Sequence, residues 1–367
     1  MTRDNAAPAL LPATLAAVQI TPEYAGVDAL AFLRSDGALS VWTQAPANLL
    51  RTSLDLRALA PEPLRSAPVA ATSRIRNADL DGDGIRDLVV LITFDLQDPG
   101  EGDALLLLLR GKAAYASGEF PFHVPSATSA IGRTHGGASD LAVADFRAQP
   151  GSRVLEVAVA VPASAAAGDD NHVRFHRLQA GSMPSLDVLV RSSTAAGPVA
   201  LVAGTGPTRL GAGDFDGDGT VDLLVASQGD ATLRLFRNDG SGMVDPDEVD
   251  IAAFRQSLGS PLPTAVGSIR ELLLGDINGD ANVDALVAVE SLAAGVRSSS
   301  VAFYLSSGTG EFSGPSFVSP TRLGDRDSSI VLDLGDFNGD GVPDLPVAWA
   351  TAQTGDRNVR VLFGGSR

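Results

Sequence analysis

GDFDGDGTVDLLVA, running from Gly213 to Ala226, is the stretch on which the fold turns. The same phrase recurs as ADLDGDGIRDLVV from Ala78, GDINGDANVDALVA from Gly275 and GDFNGDGVPDLPVA from Gly335. A phrase repeated with fixed internal spacing marks a repeat architecture. The leading aspartates, Asp79, Asp214, Asp276 and Asp336, lie 135, 62 and 60 residues apart, so the long first interval predicts one more copy. ADFRAQPGSRVLEVAVA from Ala144 fills it, keeping Asp145, Phe146 and the apolar run after Glu156 while rewriting the middle of the loop. A sixth, weaker copy is VQITPEYAGVDALAFL, in which Asp28 takes the place of the last aspartate.

Outward from the loop, each unit reads as four short strands. Around Asp214 an apolar strand leads in, LLVAS follows, TLRLFRN comes after a tight turn, and a segment near Val249 makes the fourth. The runs after the loops (LVVL, LLVA, ALVA, VAVA) are apolar at consecutive positions, which predicts strands buried on both faces. Four-stranded antiparallel sheets repeated radially describe an all-β propeller, and six units predict six blades in preference to seven. The approximate blades are 13–60, 70–125, 139–195, 207–255, 268–320 and 328–367 within a single domain spanning 1–367. The last unit offers only IVLDL, LPVAWA and NVRVLFG, so residues 5–11 are expected to supply its fourth strand and close the ring. Pro346 conflicts with an interior strand, because proline cannot donate to the ladder.

Within the Asp79 loop the carboxylates fall at positions 1, 3, 5 and 9: Asp79, Asp81, Asp83 and Asp87, with glycines at positions 4 and 6. Spacing by two lets a curled loop aim successive carboxylates inward, while glycine tolerates positive φ at the bend. That donor set suits calcium, which takes six to eight oxygens, and the carbonyl at position 7, Ile85, is a further expected ligand. The corresponding sets are Asp214, Asp216, Asp218, Thr220 and Asp222, then Asp276, Asn278, Asp280, Asn282 and Asp284, then Asp336, Asn338, Asp340, Val342 and Asp344. About four structural calcium ions follow. An EF-hand is rejected because its position 12 needs a bidentate glutamate, and here it is Val90, Val225, Val287 and Val347. Acidic hairpins that bind nothing are the plainer reading, and fixed spacing in four copies argues against it. Ala281 replaces glycine at position 6 of the third site, where positive φ costs about 1 kcal/mol, so weaker binding is expected there. The loops at Asp145 and Asp28 are expected to bind no metal.

The formal net charge of −17, with no basic run, argues against nucleic acid and anionic lipid as partners. Four calcium ions would bring that charge to −9, so much of the acidity is ligand supply. No cysteine is present, and stability must come from packing or metal. No segment has the apolar length of a membrane-spanning helix; Pro8 and Pro12 interrupt the mildly apolar stretch from Ala6 to Val18, which lacks a signal-peptide pattern.

With its four loops and LFGGS near the C-terminus, the chain resembles the FG-GAP or VCBS repeat family, the β-propellers of integrin α-chain heads and many bacterial extracellular proteins. The resemblance spans essentially the whole chain and departs from the pattern at Ala281, Asp145 and Asp28. It implies structural calcium in loops joining the first two strands of a blade, on the face opposite the one that commonly binds partners. Sites with an affinity of order 0.1 mM would stay empty in cytosol, where calcium is scarce, which points to an extracellular, surface or periplasmic setting.

The expected function is a non-enzymatic binding or adhesion module for a protein or glycan partner, standing alone or within a larger exported protein. The long connections at Asp95–Asp103, Pro162–Asn171, Ser291–Ser298 and Thr351–Arg357 lie on the face away from calcium and are the candidate recognition loops. The alternatives are a polysaccharide lyase using His135, His123 and Tyr115, for which no spacing links an acid to a base, and a lectin. Aromatics are only 5% of the chain, and Trp42 and Trp349 fall on predicted strands as packing residues. His172 and His176, near Asp169 and Asp170, are read as residues of a solvated strand for want of a third ligand.

Overall fold

Strands that follow the aspartate loops are apolar at consecutive positions because each is covered by a different sheet on either face. In the computed structural model, strand β6 (Asp87–Thr93) is buried along its whole length. Its Leu88, Val90 and Ile92 join one core with Leu33, Val41 and Leu107, while Val89 and Leu91 join a second with Leu141, Val157 and Val159. Strand β19 (Asp284–Ala293) repeats the arrangement, sending Ala285, Val287 and Val289 into a core with Leu224 and Leu235 and Leu286 and Ala288 into another with Leu345. Alternation by two thus becomes a continuous apolar run once both faces are covered.

The structure describes residues 12–19, 28–34, 36–44, 49–60, 64–67, 69, 73–80, 83–94, 104–114, 119–123, 131–134, 139–146, 155–161, 172–177, 201–202, 207–228, 232–238, 254–256, 260–261, 268–293, 296–318, 328–332, 334, 342–351 and 357–362. They are all-β apart from two short 3-10 turns, and none of their helical segments is long and apolar enough to cross a membrane. The chain divides into two compact units, residues 1–145 with 149–198, and residues 146–148 with 199–367.

The first unit holds three antiparallel meanders. The first comprises β1 (Pro12–Gln19), β2 (Asp28–Arg34), β3 (Ala38–Gln44) and β4 (Leu49–Asp55). In the second, β5 (Arg74–Ala78), β6, β7 (Ala104–Leu109) and β8 (Ile131–Thr134) pair in order. The third contains β9 (Asp140–Ala144), β10 (Glu156–Val161) and β11 (His172–Arg177). Asp140 is buried between Arg74 and Arg76 of β5, at 3.4 and 3.3 Å, so an ion-paired carboxylate joins β5 to β9.

The second unit opens with β12 (Leu201–Val202). In its first sheet β13 (Pro207–Gly213), β14 (Asp222–Ser227) and β15 (Thr232–Asn238) are followed by β16 (Phe254–Gln256) and β17 (Ser260–Pro261), which both pair with β15. Next come β18 (Ser268–Gly275), β19, β20 (Val296–Ser306) and β21 (Phe312–Val318), then a three-stranded sheet of β22 (Ser328–Leu332), β23 (Leu345–Thr351) and β24 (Arg357–Leu362). Gly211 in β13 has no room for a side chain, since a Cβ there would lie 2.7 Å from Leu274 of β18.

Several expectations need correction. The fourth strand after β15 lies at Phe254–Gln256 and Ser260–Pro261 rather than near Val249, and β8 runs to Thr134, past residue 125. The Ser291–Ser298 connection is mostly strand: β19 and β20 pair down to Ala293↔Val296, leaving Ala294 and Gly295 between them. A two-residue link containing glycine suits a hairpin, and it removes this segment from the recognition loops. The last sheet has the three strands foreseen, and residues 5–11 lie outside the described residues. Pro346 pairs with Val361 of β24, while the described register with β22 begins one residue later at Val347.

Candidate metal centre

One register places the three loops whose flanking strand residues are both described. The residue before the leading aspartate pairs with the aspartate at position 9: Ala78 with Asp87, Gly213 with Asp222 and Gly275 with Asp284. Ala144 pairs with Glu156 in the same way, and Gln19 with Asp28, so the two degenerate copies are hairpins of the same register. Glu156 therefore stands where the other loops carry their last aspartate, which the altered loop length hides in the sequence.

In the Asp214 loop three of the five expected donors are brought together. Oxygens of Asp214, Asp216 and Asp218 lie within 4.8 Å of one another. The loop is curled by its own carboxylates, since Asp214 accepts from the amides of Gly217 (2.7 Å) and Gly219 (3.0 Å), and Asp218 Oδ1 accepts from Thr220 N (2.8 Å). Gly217 and Gly219 have φ of 75° and 87°, the left-handed values that the bend requires. Three convergent carboxylates with no nitrogen or sulfur among them make a hard, anionic donor set that fits a calcium-like cation. Burial raises the Asp216 carboxyl above its ordinary pKa, with the Asp218 charge adding to the effect. Neutralisation by a cation would relieve that cost.

In the Asp276 loop the same turns recur: Asp276 accepts from Gly279 N (2.7 Å), Asp280 N (3.0 Å) and Ala281 N (2.8 Å), and Asp280 accepts from Asn282 N (2.9 Å). Asn278 Nδ2 donates to Asp280 Oδ2 at 3.0 Å, so an amide at position 3 stays within the oxygen cluster. In the Asp79 loop, Gly84 N donates to Asp79 (2.9 Å) and Ile85 N to Asp83 (2.8 Å), while Asp81 lies outside the described residues. Of the fourth loop only Val342, Pro343 and Asp344 are described, the last of them buried; Asp336, Asn338 and Asp340 are not.

The aspartate at position 9 has a second task that its motif position does not reveal. Asp222 is fully buried, and its oxygens accept from Phe215 N (3.0 Å), inside the loop, and Asn238 N (2.8 Å), at the end of β15. Asp87 ties Leu80 to Gly111, and Asp284 ties Ile277 to Ser306, through equivalent bonds of 2.8 to 3.1 Å. Burial pushes the Asp222 carboxyl up to about 6 and raises that of Asp284, against the lowering effect of those two amides. The loop is thus pinned to the third strand of its own sheet. It is also pinned to the next sheet, because Ser306 Oγ and Gly310 N both bond Phe215 O, at 3.3 and 3.0 Å.

Ala281 has φ of 69° at the position where Gly84 and Gly219 have 85° and 87°. An Ala281→Gly substitution is expected to stabilise the protein by about 1 kcal/mol, read as a higher urea midpoint with an unchanged slope. A fall in the midpoint would show that the alanine is not strained.

The other candidates separate from these loops. His172 and His176 lie on β11, while Asp169 and Asp170 are outside the described residues. His123 is exposed, its amide bonded to Arg110 O at 2.8 Å; His135, Tyr115 and the connections Asp95–Asp103 and Pro162–Asn171 are not described, nor is the connection from Thr351 to Arg357 beyond its two end residues. Trp42 and Trp349 fall on β3 and β23.

Residues 214–287 and 276–347 each match the family model of the FG-GAP-like repeat. No match to a curated protein was found by sequence. Among solved structures, the chain is similar to AofleA from Arthrobotrys oligospora at 12% identity, covering 97% of this chain and 84% of that one, with a TM-score of 0.49. It is similar to a mutant of the Aleuria aurantia lectin in complex with Fucα1-6GlcNAc at 12% identity, covering 96% of each chain, with a TM-score of 0.44. The fission yeast SREBP-SCAP binding domains match at 10% identity over 96% of this chain and 74% of that one, with a TM-score of 0.37. With TM-scores under 0.5, none of these likenesses carries an argument about this chain.

Proposed function

We propose, from the premise that residues 214–347 of this chain are FG-GAP-like repeats, that the protein is a calcium-stabilised six-bladed β-propeller acting as a binding or adhesion module. One observation carries the reading: hairpin loops of one register, in which Asp214, Asp216 and Asp218 converge as a hard oxygen donor set. The residues that would hold calcium are those at positions 1, 3 and 5, with the carbonyl of position 7 and the carboxylate of position 9. When bound, the ion neutralises carboxylates that otherwise repel one another across a bend of left-handed glycines.

Six small sheets among the described residues, the last with three described strands, support six blades, and closure of the ring by residues 5–11 is part of the proposal. Partner recognition is assigned to the connections between second and third strands, away from the calcium loops, and the partner is a protein or a glycan. The module performs no catalysis, and the calcium it needs places it outside the cell, on its surface or in the periplasm. Isothermal titration with calcium is expected to count about four sites, and a glycan array run beside a polysaccharide-cleavage assay separates the partner classes. Zero calcium sites would overturn the metal reading, and unsaturated uronic products would replace the binding module with a lyase.

A further inference from the structure

The Asp214 and Asp276 loops lie in successive sheets, and one turn touches both. Residues 307–311 join β20 to β21 in a turn closed on itself, since Ser307 N and Oγ both donate to Glu311 O, at 2.9 and 3.1 Å. On one side, Gly310 N and Ser306 Oγ donate to the carbonyl of Phe215, at 3.0 and 3.3 Å. A Cβ on Gly310 would lie 3.2 Å from Asp216 Cβ, and one on Gly217 would lie 3.2 Å from Gly308 O. On the other side, a Cβ on Gly308 would lie 3.0 Å from Asn282 Cγ, and Ser306 N donates to Asp284 Oδ1 at 2.8 Å. Ser306 and its turn therefore border positions 2 to 4 of the Asp214 loop and positions 7 and 9 of the Asp276 loop.

Ser306 makes the link two-sided. It is buried, its amide is held by Asp284, and its hydroxyl donates to Phe215 O while accepting from Gly308 N at 3.1 Å. The residue whose amide meets the position-9 aspartate is Gly111 in the Asp79 unit and Asn238 in the Asp214 unit. Gly111 has no side chain to lend, and Asn238 Nδ2 reaches Phe146 O, in a loop expected to bind no metal. Among the described residues, Asp214 and Asp276 thus head the one pair of candidate metal loops joined through such a residue.

We infer that residues 306–311 are a brace shared by these two loops, so that order in either one, above all order imposed by a cation, favours order and cation binding in the other. The cation part rests on the calcium reading above; the brace does not. An ion that fixes the Asp214 loop holds Phe215 O in place, and with it the turn against which Asn282 and Asp284 stand. The Asp276 loop then has less freedom to lose on taking its own ion, and the effect is reciprocal because coupling between two binding sites must be.

The test is hydrogen–deuterium exchange on the full chain, read peptide by peptide during a calcium titration. Salt is held at about 0.5 M, where the Debye length is roughly 4 Å and repulsion between ions is screened. Asp216→Asn with Asp218→Asn removes two of the three convergent carboxylates and keeps the frame of amides on Asp214. This pair of changes is expected to raise the calcium midpoint for protection of residues 276–284 by up to about fivefold and to leave that of residues 79–87 unchanged. Ser306→Ala keeps the amide held by Asp284 and removes the hydroxyl; in that background the shift at 276–284 should shrink, so the changes are not additive. A midpoint at 276–284 indifferent to the emptied Asp214 loop overturns the inference, as does a shift of equal size with and without the Ser306 hydroxyl. An equal shift at 79–87 means a general loss of stability and overturns it too. Should Ser306→Ala fail to fold, the comparison in the wild-type background decides alone. Loops that gain no protection from calcium would sink the calcium reading instead. The brace is then decided in EGTA, where Asp214→Ala strips the acceptor from Gly217 and Gly219 and should speed exchange of residues 306–311 severalfold; unchanged exchange there overturns it.

Discussion

Excess EGTA is expected to lower the melting temperature by about 10 °C, and added calcium to restore it. A site with an affinity of order 0.1 mM gains roughly 1.5 kcal/mol in about 1 to 2 mM calcium, because an ion that binds only the folded loop stabilises by linkage. Three of the four loops, at Asp214, Asp276 and Asp336, belong to the second compact unit and only the Asp79 loop to the first. At most roughly 4.5 kcal/mol therefore falls on the second unit, less where Ala281 weakens the Asp276 loop, and at the lower end of about 2 to 4 °C per kcal/mol for a unit of this size the shift is near 10 °C. The first unit should move by about a third as much, so the transition broadens or splits as calcium is withdrawn. Magnesium should substitute poorly, since it demands smaller, stricter octahedral geometry than a curled loop of amide-bonded carboxylates offers. A melting curve indifferent to EGTA would sink the metal reading and leave the loops as ordinary acidic turns.

The parts of the fold visible in the sequence are those where one residue choice has one physical cause. Glycine at positions 4 and 6 and aspartate at 1, 3 and 5 encode a bend that needs positive φ and local carboxylate acceptors, and Gly217, Gly219 and Ala281 adopt that bend. The run after each loop encodes burial on two faces, and β6 and β14 are buried throughout. Outer strands carry no such double constraint. Among the described residues β16 and β17 pair with β15 alone, and the segment Ser257–Gly259 separates them in sequence, so the pattern that placed a strand near Val249 was weak. The Ser291–Ser298 stretch misled for a different reason, since serine and alanine runs suit a loop by composition while the register carries them into a long hairpin. Contacts between repeats were invisible because they join residues far apart in the chain, as when Asn238 Nδ2 bonds Phe146 O at 2.6 Å and Ser306 Oγ bonds Phe215 O. Position 9 was legible as an acid and not as a brace.

That brace supplies the second large effect. Asp222→Ala is expected to cost about 3 kcal/mol whether or not calcium is present, measured by urea unfolding in EGTA and again in calcium. The substitution leaves the amides of Phe215 and Asn238 without their acceptor, and Phe215 and Asn238 are nearly fully buried. An orphaned buried donor costs about 1 to 3 kcal/mol, and two together exceed what is regained by no longer burying a carboxylate. The regained part is real, since burial already pushes the Asp222 carboxyl up to about 6, which is why the expected sum falls short of two full penalties. Asp222→Asn keeps one oxygen as acceptor and should fall between alanine and wild type. Asp218→Asn is the contrast: Asp218 is exposed, and its bonds stay within the loop with Thr220, so its loss should appear in calcium and nearly vanish in EGTA. The two variants separate what the motif does for the metal from what it does for the sheet. If Asp222→Ala were as stable as wild type in EGTA, the position-9 carboxylate would be a ligand alone, and the bonds to Phe215 and Asn238 would be dispensable.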